Sequence, residues 1–186
     1  MFYTGVGSRR VPPDMWVVLS DYAEFLARAG YTLRSGAADG SDEAFETGAD
    51  RARGAKEIYL AWRGFNGSKS HLHYLTIEAM ELAAQVHPKW NNLSPAAQRL
   101  QGRNMYQVLG YELVLPSEFL LCWTPDGIER DVERTKHSGG TATAIALADR
   151  NGVPVFNLAR AGSMTRFNNY LRARGLTNMP HCELDL

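Results

Sequence analysis

Met1-Phe-Tyr-Thr-Gly-Val-Gly-Ser-Arg9 begins as a short apolar strand and runs into a glycine turn. Pro12-Pro13-Asp14 then reads as the start of a helix, because proline suits the first helical turn, where its missing N–H costs nothing. Met15, Val18, Leu19, Tyr22, Phe25, Leu26 and Ala29 recur at helical spacing, and Gly30 stops them. The same device follows at once. Tyr31-Thr-Leu-Arg-Ser35 is a second strand, Gly36-Ala-Ala-Asp-Gly-Ser-Asp42 its loop, and about Asp42 to Arg53 a helix carrying Ala44, Phe45, Gly48 and Ala49. Lys56-Glu-Ile-Tyr-Leu-Ala-Trp62 is a third strand. Strands alternating with helices of this length imply right-handed crossovers, so the expected class is α/β, a three-layer sandwich with a mainly parallel sheet. In such sheets ligands sit at the carboxyl ends of the strands, where the glycine loops fall.

The alternation breaks at Arg63-Gly-Phe-Asn-Gly-Ser-Lys-Ser-His-Leu-His73, and helical stretches follow at about Tyr74–Val86 and Ser94–Leu109, separated by His87-Pro-Lys-Trp90. We read residues 63–116 as a helical insertion between the third and fourth strands, packed on the sheet and overhanging the ligand crevice. Glu118-Phe-Leu-Leu-Cys-Trp123 resumes the sheet, and its apolar interior suits a central strand covered on both faces. Thr124 to His137 is polar and charged and is expected to be a mobile loop. Ser138-Gly-Gly-Thr141 leads into an alanine-rich helix, Ala142 to Asn151, ended by Gly152. Val153-Pro-Val-Phe-Asn157 is the last strand and about Met164–Arg174 the last helix. There is no internal repeat or low-complexity linker, and 186 residues suit one domain spanning 1–186.

Twenty Lys and Arg balance twenty Asp and Glu, which argues against coating nucleic acid by bulk charge and favours a small anionic ligand. Cys122 and Cys182 are the only cysteines. They make no disulfide framework and no zinc spacing, and we read both as free thiols of a reducing cytosol, with Cys122 a small buried hydrophobe. The chain reaches Gly5, Gly7 and Arg9-Arg10 without an apolar signal core, and no run approaches membrane-spanning length. A cytoplasmic protein without membrane contact is expected.

Two glycine-rich turns, Gly5-Val-Gly-Ser-Arg9 and Ser138-Gly-Gly-Thr141, carry the chemistry. Glycine lets the backbone approach a ligand, and free N–H groups at a helix start attract phosphate. Ser8 can donate to phosphate and Arg9 can clamp it, while Ser138 and Thr141 add hydroxyls to the second turn. Each turn also has a plainer reading, as a tight bend with a solvated Arg9 and as a hinge with a threonine cap. Arg134, Lys136 and His137 can add positive charge upstream of Ser138 or belong to a solvated loop. In the middle segment, Ser35, Gly36 and Ala37 put small residues where strand meets helix. Asp39, Asp42 and Glu46 gather nearby, Asp42 and Glu46 four apart on one helix face. These three are the candidates for holding ribose hydroxyls or for general acid or base work. Helix capping is their alternative, with Ser41 or Asp42 as cap, and is preferred for Glu43. Arg99, Arg103 and Asn104 in the insertion helix could reach the ligand, with an exposed helix face as the plainer assumption. His71 and His73, two apart, lack further ligands at metal spacing, so no metal or cofactor is expected. A third fingerprint glycine, a Walker lysine and a nucleophile elbow are all missing, which removes the usual dehydrogenase, phosphoryl-transfer and hydrolase readings.

Gly7-Ser-Arg9, Ser35-Gly-Ala-Ala-Asp-Gly-Ser-Asp42 with its continuation to Ala49, and Ser138-Gly-Gly-Thr141 with Ala144-Ile-Ala-Leu-Ala148 and Val153-Pro-Val155 together resemble the SLOG superfamily of Rossmann-like proteins. Within it they resemble the DNA-processing protein A (DprA/Smf) family. The likeness covers about residues 2–60 and 117–158, and the whole length resembles the compact members often encoded by bacteriophages. It implies a Rossmann-like fold and a nucleotide or nucleotide-derived ligand, with Gly7, Ser8, Arg9, Gly36, Asp42, Gly139, Gly140 and Thr141 lining the pocket. It also implies assembly into homo-oligomers. Branches of the superfamily bind single-stranded DNA in recombination, cleave nucleoside monophosphates to base and ribose phosphate, or sense ADP-ribose-like signals. Glu46 stands where the DprA pattern tends to carry histidine, and no glutamate follows Thr141 at the position of the monophosphate-cleaving signature. A nucleotide N-glycosidase built on this chain would draw its carboxylate from Asp39, Asp42 or Glu46. Nucleotide binding is the leading expectation, with the N-glycosidase and single-stranded DNA binding as alternatives.

Overall fold

The computed structural model describes residues 1–135 and 138–181. Five strands form one parallel sheet in the order β3-β2-β1-β4-β5. β1 (Phe2–Gly7) is central, β2 (Thr32–Ser35) and β3 (Lys56–Ile58) lie to one side, and β4 (Leu120–Trp123) and β5 (Val155–Asn157) to the other. The helices are α1 (Pro13–Arg28), α2 (Ser41–Arg51), α3 (Ile77–Val86), α4 (Pro95–Leu109), α5 (Thr141–Arg150) and α6 (Ser163–Arg172). This is a Rossmann-like three-layer α/β fold, as the alternation of strand and helix signals predicts.

Strand alternation divides the core in two. Tyr3, Leu33, Leu121 and Phe156 face α1, α2 and α6, where they meet Leu19, Tyr22, Phe45, Phe167 and Leu171. Val6, Leu120, Cys122 and Val155 face α3, α4 and α5, against Ala83, Met105, Val108 and Ile145. β4 is buried on both faces, as its uniform apolarity requires. On the first face α1 and α2 lie so close that a methyl at Gly48 would run into the Ser20 carbonyl. Within the core only Tyr3 and Ser20 hydroxyls lack a hydrogen-bond partner among the described residues.

Three local expectations need correction. The third strand is shorter than Lys56–Trp62. Tyr59 N still donates to Ser35 O at 2.9 Å, but Leu60 N donates to Leu72 O at 2.7 Å, so the chain leaves the sheet to pair with the insertion. Neither Ser41 nor Asp42 caps α2. The cap position is Gly40, held at φ 78°, and Ser41 Oγ instead donates to Ser8 O at 3.0 Å. Thr124 to Thr135 is no free loop. Glu133 pairs with Arg160 at 2.9 Å, Glu129 with Arg166 at 2.6 Å and Asp131 with Arg150 at 2.6 Å, which ties the segment to the turn after β5, to α6 and to the end of α5. Arg160 holds the Glu133 carboxyl down at about 2. No described helix is long and apolar enough to cross a membrane.

Candidate functional site

The chain leaves β1 for α1 on one face of the sheet and leaves β4 for α5 on the other. The two strand ends therefore part, and a crevice opens at this switch of direction. It holds a cavity of about 310 Å³, floored by Val6 to Arg9 and by Thr124 to Asp126, flanked by Ala38 and Asp42, and closed by Gly139 to Thr141. The glycine turns touch directly, with Thr141 Oγ1 donating to Gly7 O at 2.8 Å. Gly7 has no room for a side chain. A Cβ there would stand 2.5 Å from Ser41 Oγ and 2.6 Å from the Trp123 carbonyl, and the latter cannot rotate away. Ser8 is fixed at both backbone groups, its N–H on Trp123 O at 2.9 Å and its carbonyl on Ser41 N at 3.1 Å. Its hydroxyl accepts from Arg10 N at 3.0 Å. Arg9 is exposed at the cavity and has no ion pair among the described residues.

At the α5 lip, Gly139 and Gly140 are exposed and open the helix. The hydroxyls of this turn serve the protein. Ser138 Oγ donates to Asp126 Oδ2 at 2.7 Å, and Asp126 Oδ1 accepts from Thr124 Oγ1 at 2.7 Å. Ser138 lies outside the cavity lining, and Thr141 is engaged with Gly7. The groups of this rim without a partner among the described residues are Arg9 and the amides of Gly139, Gly140 and Thr141, since Ala142 N and Thr143 N donate to the Gly139 and Gly140 carbonyls at 3.0 and 3.3 Å. Arg134 is also turned away, pairing with Asp131 and donating to Val86 O at 3.0 Å. Lys136 and His137 lie outside the described residues, as does Cys182.

At the α2 end Asp42 is 3 % exposed and lines the cavity. Burial pushes its carboxyl up to about 6, opposed by Arg103 and by the backbone N–H groups of Ala38 and Gly7. Arg103 Nη1 stands 3.9 Å from Asp42 Oδ2 and also donates to the Gly36 carbonyl. The other two carboxylates are elsewhere. Glu46, a turn further along α2, pairs with Lys56 at 3.6 Å, and Asp39 is exposed and accepts from Asn66 Nδ2 at 3.2 Å. Gly5 lies inside β1, where any Cβ would meet the Phe45 ring at 2.6 Å, so its smallness serves packing. Ser35 Oγ donates to Gly5 O at 2.7 Å, tying β2 to β1. Gly36 gives way to the Arg103 guanidinium, and Ala37, at φ 56°, offers its carbonyl to Asn66 Nδ2 at 3.0 Å. None of these four lines the cavity.

The roof is α4, which supplies Leu100, Gln101, Arg103, Asn104 and Gln107. Arg103 and Asn104 are each 6 % exposed, so the expected solvent-facing helix is instead a covered polar wall. Arg99 donates from Nε to Ala61 O at 2.8 Å. The sequence does hold a signal for the wall. Between Gln98 and Gln107 polar residues occupy every side of the helix, which leaves it no wholly apolar face to bury. Cys122 is buried, its thiol pushed well up by burial, and it acts as a core hydrophobe. Among the described residues no group of three or more His, Cys, Asp or Glu side chains could hold a metal ion. The chain matches no protein-family model, no curated protein and no solved structure.

Proposed function

We propose that this protein binds a nucleotide or nucleotide-derived anion in the cavity between its two glycine turns. The observation that carries this reading is the 2.8 Å hydrogen bond from Thr141 to the Gly7 carbonyl, which joins turns 134 residues apart on one rim. Arg9, without an ion pair among the described residues, and the amides of Gly139 to Thr141 supply positive potential to that rim, and the cavity volume lies near the lower end of the roughly 300–1,000 Å³ typical of small-molecule sites. The likeness of the glycine turns and the Ser35–Ala49 segment to the SLOG superfamily points the same way. Calorimetric titration with the four ribonucleoside monophosphates is expected to show binding. Arg9→Ala should weaken it by about tenfold, the scale of one charge-assisted hydrogen bond. If no nucleotide is retained by the wild-type chain, the reading is wrong.

A second reading, nucleotide N-glycosidase, is favoured by Asp42 alone of the three candidate carboxylates. It is buried, it lines the same cavity, and its carboxyl titrates near 6. Ionised, it would stabilise the oxocarbenium-like ribose that forms as the glycosidic bond breaks and water adds. Release of free base from a nucleoside monophosphate, abolished in Asp42→Asn, would establish the enzyme. Turnover surviving in Asp42→Asn would exclude this carboxylate. Single-stranded DNA binding gains less support, since no aromatic side chain for base stacking lines the cavity among the described residues.

A further inference from the structure

The polar wall of α4 is hydrogen-bonded in a way that leaves defined atoms free. Gln101 and Asn104 are 7 % and 6 % exposed and both line the cavity. Asn104 Nδ2 donates to the Gly140 carbonyl and to Gln101 Oε1, each at 3.2 Å. A backbone carbonyl can only accept, so the Asn104 amide must turn its nitrogen toward Gly140. Gln101 must in turn offer its oxygen to that nitrogen. The atoms left without a partner among the described residues are Gln101 Nε2, a donor, and Asn104 Oδ1, an acceptor. Further along the same wall, Arg103 Nε and Gln107 Nε2 are also buried donors without acceptors. Arg103 Nε and Gln107 Nε2 are shut off from water as well as unmatched, whereas Gln101 and Asn104 line the cavity, where a bound group can meet their free atoms.

The pair lies against the first turn of α5. Gly140 already has helical backbone angles, φ −59° and ψ −28°, and its carbonyl accepts from Thr143 N at 3.3 Å. That carbonyl points along α5 toward its C-terminus, while the amides at the helix start point the opposite way. Asn104 reaches the Gly140 carbonyl, and Gln101 Nε2 lies 3.2 Å from where a Cβ on Gly140 would stand, so the pair sits beside the first turn of α5. A free acceptor such as Asn104 Oδ1 repels phosphate oxygens but suits a group that donates. Leu100 and Pro125, also in the lining, add apolar surface.

We propose that Gln101 and Asn104 form the nucleobase subsite of the cavity. Gln101 Nε2 donates to an acceptor on the base edge, and Asn104 Oδ1 accepts from the adjacent N–H. This rests on the nucleotide reading above and adds to it the part of the ligand that α4 reads: an uncharged heterocycle with acceptor and donor side by side, not a second phosphate.

The test compares wild type with Gln101→Met and Gln101→Leu, both neutral, by calorimetric titration with adenosine, guanosine, cytidine and uridine monophosphates and with ribose 5-phosphate, which lacks a base. Thermal melts establish which variants are folded. The tightest-binding monophosphate should weaken about tenfold or more in a folded variant, the loss expected when one buried hydrogen bond to a ligand is removed, while ribose 5-phosphate stays within about twofold. An equal fall for ribose 5-phosphate would make Gln101 an anion ligand and overturn the proposal, as would unchanged monophosphate affinity. Wild-type protein that binds neither class would instead remove the nucleotide reading itself.

Discussion

Asp42 is a carboxylate held where water reaches it poorly, and its stability cost depends on pH. Its carboxyl sits near 6 in the folded chain against 3.8 in the open chain. Below about pH 4 it is protonated in both states and imposes no penalty. As pH rises through 6 the folded state must ionise it, and stability is lost. Asp42→Asn should therefore be more stable than wild type at pH 8, by about 1–3 kcal/mol for a shift of this size, with the difference fading below pH 4. Urea denaturation at the two pH values measures this. An Asn variant no more stable at pH 8 would mean that Arg103 and the Ala38 and Gly7 amides already compensate the charge. The sequence made Asp42 a candidate by its place on a helix face shared with Glu46, but it could not separate it from Asp39 and Glu46. Distance to Asn66 and Lys56 did that, and such distances are set by how α2 lies on the sheet.

At the scale of elements, the glycines divide into those that let helices and strands approach and those left open to solvent. Gly48 holds α2 against the Ser20 carbonyl of α1, so Gly48→Ala must push two helices apart, an overpacking cost of about 1–3 kcal/mol, with no direct effect at the cavity. Gly139 has nothing within 4 Å of where a Cβ would stand. Gly139→Ala should leave the melting temperature nearly unchanged while weakening nucleotide binding, because it crowds the amides at the start of α5. Thermal melts and titration of both variants decide it, and a Gly139→Ala protein that binds normally would remove the anion site from this lip. Periodicity in the sequence located each helix to within a few residues, since an apolar stripe is a local property. The polar face of α4 was misassigned for the converse reason. A polar side chain reads as exposed until the tertiary fold lays the helix over α5 and the strand ends.

At the scale of the whole molecule, both cores share the five-stranded sheet, and β1 contributes Tyr3 to one and Val6 to the other. Neither face can lose its packing without stripping the other side of the same strands. Chemical unfolding should accordingly be a single transition, with near-ultraviolet and far-ultraviolet circular dichroism coincident. Separate transitions would mean that the insertion carrying α3 and α4 unfolds by itself, and with it the roof of the cavity.

What the sequence by itself determined is the alternation of strands and helices, the parallel sheet it demands and the two glycine turns at strand ends. Each of these follows from neighbours a few residues apart in the chain. Only the tertiary structure decided which carboxylate enters the cavity, that the Ser138 and Thr141 hydroxyls bind the protein, and that Gln101, Arg103 and Asn104 of the inserted helix line the site. Those outcomes depend on which atoms meet across 12 to 134 residues of chain, and a hydrogen bond is won by whichever partner the fold brings within about 3 Å.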